Sequence, residues 1–172
     1  MSCFYLAYGK NMNERVMKDR CPDAIKVGPM RINRARLIFR DVADIIVDPD
    51  TDESVPGALW WITPDCERFL DGFEGPGYHK LVWPERTIRG RTAEIMLYQM
   101  KTTRGAWPPE TQYFRAIEEG YKHFGYGKRD LKALRDAARW ARDNPQLTTA
   151  QHDRYVRRGR LPRIDLRRSK QP

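Results

Sequence analysis

"CFYLAYGKNMNERVMKDRC", residues 3–21, is the stretch whose reading decides the fold. Cys3 to Tyr8 form a β-rich run that stops at Gly9, which reads as a strand entering a tight loop. Asn11 and Asn13 then offer caps for a short helix, and Pro22 closes it. Backbone N–H groups at such a strand–loop–helix turn suit a carboxylate or a phosphate. The spacing fits neither a P-loop nor a dinucleotide fingerprint. Taken alone, the turn reads first as an ordinary strand–helix connection.

Working outward, "ARLIFR" (35–40), "VADIIVD" (42–48), "GALWWIT" (57–63) and "AEIMLYQM" (93–100) are further strands. "HKLVWPERTI" (79–88) is also extended, and Pro84 predicts an edge or a bulge there. Helices follow a clearer rule. Thr63 is placed as an N-cap with Pro64 at the first helical position. Cys66, Phe69, Leu70 and Phe73 fall at i, i+3, i+4 and i+7, one buried face. "PPETQYFRAIEEGYKHFG" (108–125) carries a second stripe of Tyr113, Phe114, Ile117, Tyr121 and Phe124. "DLKALRDAARWARD" (130–143) is predicted to start at a capping Asp130 and to bury Leu131, Leu134, Ala138 and Ala141. Strands first, one short helix inserted and helices last predict an α+β fold. Its small mixed or antiparallel sheet is expected to curl toward a barrel, flanked by helices.

The 172 residues predict one domain with a real core. At 40% hydrophobic and 32% charged the chain reads as globular rather than disordered. No apolar run reaches the ~20 residues a membrane span needs, and no signal peptide is expected at "MSCFYLAYGK". Cys3, Cys21 and Cys66 are odd in number and far apart, which fits free thiols in a reducing cytoplasm. The net charge of +9 is uneven, with eight Lys/Arg against one Asp between Arg154 and Lys170. That tail reads first as a solvated terminus, with contact to nucleic acid or another polyanion as the alternative. His79, His123 and His152 lack zinc-type spacing with the cysteines, so no metal is expected. A Cys3–His79 or Cys66–His79 nucleophile pair has no local signature behind it.

Two more segments carry chemistry. In "FLDGFEGPGYHK" (69–80) Glu74 lies at the negative end of a helix. Asp71 adds like charge, and Phe69, Phe73 and Tyr78 are apolar neighbours. All three effects would raise its pKa toward the range useful to a general acid or base. By itself a lone Glu beside Gly75 is more simply a solvated cap. In "WPPETQY" (107–113), Tyr113 sits in the first turn of a helix, facing either the core or a pocket.

Together "YLAYGKNM", "FLDGFEG" and "PPETQY" resemble, in order and wide spacing, the Y-F-A-Y-G-S-N, L-D-x-x-E-G and P-S-P-Q-Y segments of the gamma-glutamylcyclotransferases. The resemblance covers roughly residues 3–140. It divides the chain into a cyclotransferase-like domain at 1–145 and a basic tail at 146–172. It implies a small mixed-sheet barrel with the site at one mouth, and a cofactor-free reaction. The α-amine of a γ-glutamyl amino acid, a γ-glutamyl amine or glutathione attacks its own γ-carbonyl, giving 5-oxoproline and a free amine. By this resemblance Glu74 is the general base and acid. Tyr5, Leu6, Ala7, Tyr8, Gly9, Lys10 and Asn11 form the substrate-binding loop, and Tyr113 offers a hydroxyl. The implied partner is a small molecule, and a homodimer is left open. The family serine is Lys10 here. Inside the pocket Lys10 would grip a carboxylate and weaken Glu74 as a base; pointing outward it would change little. The competing reading is an inactive cyclotransferase-like binding module for an acidic ligand or nucleic acid.

Overall fold

The computed structural model describes residues 1–101 and 105–144; the basic tail lies outside the described residues. Seven strands and four helices form it. They run β1 (Cys3–Ala7), α1 (Glu14–Arg20), β2 (Ile25–Asn33), β3 (Ala35–Arg40), β4 (Val42–Val47) and β5 (Ser54–Ile62). Next come α2 (Pro64–Glu74), β6 (Tyr78–Ile88), β7 (Arg91–Met100), α3 (Thr111–His123) and α4 (Lys128–Asp143). The expected α+β class is the observed one.

Five strands make one mixed sheet in the order β2-β5-β1-β7-β6. Strand β1 is central, antiparallel to β5 and parallel to β7. Its residues Phe4, Leu6 and Ala7 are buried with Tyr5, so both faces are covered, as an unbroken apolar run demands. The β3–β4 hairpin forms a separate two-stranded sheet. The five-stranded sheet stays open. Strands β2 and β6 are its two edges and do not pair with each other among the described residues, so the expected curl does not reach a closed barrel.

Strand β2 has no counterpart in the sequence reading, because "GPM" at Gly28–Met30 looks like a break. Edge position explains the tolerance: β2 pairs only with β5, and its ladder shifts register between Lys26 and Gly28, just before Pro29. Pro84 sits likewise on edge strand β6, where the ladder shifts between Trp83 and Arg86. Helix α2 is capped by the Thr63 side chain with Pro64 in its first turn, as expected. Its buried face is narrower than the spacing predicts. Cys66 and Leu70 are buried, but Phe69 and Phe73 are half exposed and stack on each other at 6.5 Å. Helix α4 begins two residues before Asp130, after Gly127. Asp130 lies in its first turn and instead pairs with Arg31 at 2.6 Å.

Asn13 fixes the start of α1. Its Oδ1 accepts from the Arg15 and Val16 N–H groups, and its Nδ2 donates to the Ala116 carbonyl and to Glu119. One buried side chain therefore caps α1 and ties it to α3. No helix among the described residues is long and apolar enough to cross a membrane.

Candidate active site

The turn after β1 is the floor of a cleft of about 260 Å³. A short 3-10 turn at Lys10–Met12 follows Gly9 and leads into α1. Helix α2 brings Phe73 and Glu74 to one wall, α1 brings Arg20, the β3–β4 hairpin brings Val42 and Ala43, and Tyr78, Tyr98 and Tyr113 also line it. Of the residues singled out in the sequence, Tyr5, Leu6, Tyr8, Gly9, Lys10, Asn11, Glu74 and Tyr113 border this one cleft; Ala7 does not.

Glu74 is the last residue of α2. Gly75 follows with φ +63°, a conformation that favours glycine, and its N–H bonds back to the Asp71 carbonyl. The Glu74 carboxylate accepts no hydrogen bond among the described residues. Burial raises its pKa, and the Arg20 guanidinium opposes that rise. The same carboxylate is felt by Tyr5, Tyr78 and Tyr113, whose hydroxyls are pushed up first by burial. Tyr113 reaches about 12.

The expected repulsion from Asp71 is absent. Asp71 accepts from the Tyr98 hydroxyl at 2.6 Å and pairs with Lys80 at 2.8 Å. Burial favours its neutral form, but these two hydrogen bonds outweigh it and hold its pKa low. Asp71 thus serves as an anchor, tying the last turn of α2 to β6 and β7.

The cation that acts on Glu74 is Arg20, which the sequence reading missed. Arg20 ends α1, and Nη1 donates to Asn11 Oδ1 at 2.6 Å while the guanidinium lies 3.6 Å from the centre of the Phe73 ring. Asn11, buried, passes the contact inward by donating from Nδ2 to the Tyr5 hydroxyl at 2.8 Å. A sequence signal for Arg20 existed only in hindsight: an Asn in the loop nine residues before an Arg at a helix end. Lys10 borders the cleft, half buried and without an ion pair among the described residues. The Tyr113 hydroxyl accepts the Ala43 N–H at 3.0 Å, and the nearby Lys10 backbone N–H also works against the rise of its pKa. With the Ala43 N–H on its oxygen, the Tyr113 hydroxyl donates to no acceptor among the described residues.

The cysteines stand apart from this machinery. All three are free. Burial is the main force pushing the Cys3 and Cys21 thiols up to about 12. The Cys3 thiol contacts Glu67 rather than His79, which is exposed on β6.

No protein-family model and no curated protein matches the chain. Solved structures do. A gamma-glutamyl cyclotransferase superposes with a TM-score of 0.68 at 22% identity, over 92% of this chain and 100% of that one. An uncharacterized protein from Homo sapiens gives 0.67 at 22% identity, over 91% and 98%. YkqA from Bacillus subtilis gives 0.63 at 19% identity, over 80% of this chain and 54% of its own. At that coverage and similarity of shape, this chain has the gamma-glutamyl cyclotransferase-like fold.

Proposed function

We propose that the protein is a gamma-glutamyl cyclotransferase, converting a γ-glutamyl amide to 5-oxoproline and a free amine. The observation that carries this reading is the Glu74 carboxylate, without a hydrogen-bond partner among the described residues, on the same cleft as the glycine loop and the Tyr113 hydroxyl. A base of raised pKa beside proton-bearing phenols is what the reaction requires.

The substrate's α-nitrogen attacks its own γ-carbonyl carbon. The new C–N bond closes the lactam, and the old amide C–N bond breaks. The attacking ammonium gives up two protons and the leaving nitrogen gains two. Glu74, taking protons from the first and returning them to the second, balances the step without a cofactor. Because nucleophile and electrophile belong to one molecule, much of the entropic barrier is removed once the substrate is folded. The loop from Tyr5 to Asn11 and the Lys10 charge hold the α-carboxylate. The Tyr113 O–H, its oxygen held by the Ala43 N–H, stabilises the carbonyl oxygen as it gains charge.

The test offers γ-glutamyl dipeptides, γ-glutamyl amines and glutathione to the purified protein and measures 5-oxoproline. Product from at least one class, lost in Glu74→Gln, is the expected result. No product from any of them with folded protein overturns the reading.

A further inference from the structure

Among the described residues, two cations border the cleft, Lys10 and Arg20, and one carboxylate, Glu74. Neither Lys10 nor Arg20 forms an ion pair among the described residues. Arg20 acts on Glu74 through space, but the two groups stay beyond ion-pair distance. The guanidinium is nevertheless held. One nitrogen is tied to Asn11 at 2.6 Å, and one face is laid on the Phe73 ring at 3.6 Å. A planar, fixed guanidinium with N–H donors to spare is pre-organised for a carboxylate.

Position decides which carboxylate. The guanidinium bridges two depths of the cleft: one nitrogen reaches the buried Asn11 beside Tyr5, and one face lies on Phe73, which is 54% exposed and marks the mouth. Ring closure needs the glutamyl part folded inward against Glu74 and the loop. The leaving group must then project through the mouth, past Arg20. A γ-glutamyl amino acid carries two carboxylates and one ammonium, which matches Lys10, Arg20 and Glu74 charge for charge. A γ-glutamyl amine carries one carboxylate and leaves Arg20 unmatched.

Resting on the cyclotransferase reading, we propose that Arg20 is the specificity-determining residue that binds the carboxylate of the leaving group, so that γ-glutamyl amino acids are preferred over γ-glutamyl amines.

The test compares γ-glutamyl-L-alanine with γ-glutamylethylamine, which differ by that carboxylate alone. The wild type should favour the alanine compound by about 10- to 100-fold in kcat/KM, the range of one charged hydrogen-bonded contact. Arg20→Gln also alters Glu74, but that effect is common to both substrates and cancels in their ratio. The ratio should fall toward one in Arg20→Gln, chiefly through KM of the alanine compound, and be partly restored in Arg20→Lys. A wild-type ratio near one, or an unchanged ratio in Arg20→Gln, overturns the assignment. Absence of 5-oxoproline from both compounds overturns the cyclotransferase reading instead. Calorimetric titration of the same compounds then still decides on Arg20. Tighter binding of the alanine compound, lost in Arg20→Gln, supports it; equal or absent binding overturns it.

Discussion

The Tyr113 hydroxyl lies 3.1 Å from the point a β-carbon on Gly9 would occupy. That is tighter than an ordinary contact, and the Ala43 β-carbon stands behind at 3.5 Å. The hydroxyl is also held by the Ala43 N–H at 3.0 Å, so it has little room to retreat. Gly9→Ala is therefore expected to destabilise the fold by about 1–3 kcal/mol and to lower kcat/KM by about 10-fold or more by displacing the hydroxyl. Tyr113→Phe removes the atom that clashes. The double variant should be nearly as stable as Tyr113→Phe alone, and denaturant melts of the four proteins measure that coupling.

This contact also shows how far the sequence could be read. Gly9 was visible as a turn and Tyr113 as a residue at a helix start, because glycine and periodicity are local signals. Their meeting is not local: it depends on α3 returning across the hairpin, 104 residues later in the chain. Arg20 escaped for the same reason, since its partners Asn11 and Phe73 come from different elements. Phe73 misled through periodicity, which marks a helix face but does not say how much of that face is covered. Strand β2 was hidden by Gly28 and Pro29, which break central strands and are tolerated at an edge.

Glu74 should control the pH dependence. Burial raises its pKa, so the acidic limb of kcat/KM is expected above the ordinary glutamate value of about 4.3, with activity lost as pH falls through it. Arg20 opposes the shift, so Arg20→Gln should move that limb to higher pH. Glu74→Gln should lower kcat by about 10²–10⁴-fold. The stability effect has the opposite sense. A carboxyl whose pKa is raised on folding favours the fold when protonated and loses that advantage as pH rises through the folded pKa. The melting temperature of Glu74→Gln should therefore exceed that of the wild type at neutral pH, and the gap should close on acidification.

Asp71 should matter to Glu74 without touching substrate. Its bonds to Tyr98 and Lys80 hold the last turn of α2 against β6 and β7, one turn before Glu74. Asp71→Asn is expected to lower kcat more than it raises KM, because the base is loosened while the binding loop is left alone. Its cost in stability is modest, about 0.2–1 kcal/mol for a pair this exposed. With its pKa held low in the fold, that contribution is present at neutral pH and lost as pH falls through the folded value. Thermal melts from pH 7 to pH 3 should show the wild-type advantage shrinking.

The Arg40–Asp44 pair carries the largest stability prediction. Both side chains are fully buried and meet at 3.0 Å. Asp44 also accepts the Met100 N–H at 3.2 Å, and Gln99 donates to the neighbouring Ile45 carbonyl. These bonds fasten the β3–β4 hairpin to β7, and the hairpin carries the Ala43 N–H that holds Tyr113. Asp44→Ala removes one charged partner of the buried Arg40 guanidinium and one acceptor of the Met100 N–H, and should destabilise by about 3–5 kcal/mol. The pair replaced together, as Arg40→Met with Asp44→Leu, removes both charges and should recover most of that loss in the denaturant midpoint. Activity should not recover in parallel. Stability needs only a filled and neutral site, whereas Tyr113 needs the hairpin held at the distance that the Asp44–Met100 bond sets. A double variant that regained full kcat/KM would show that the hairpin keeps its place by apolar packing alone.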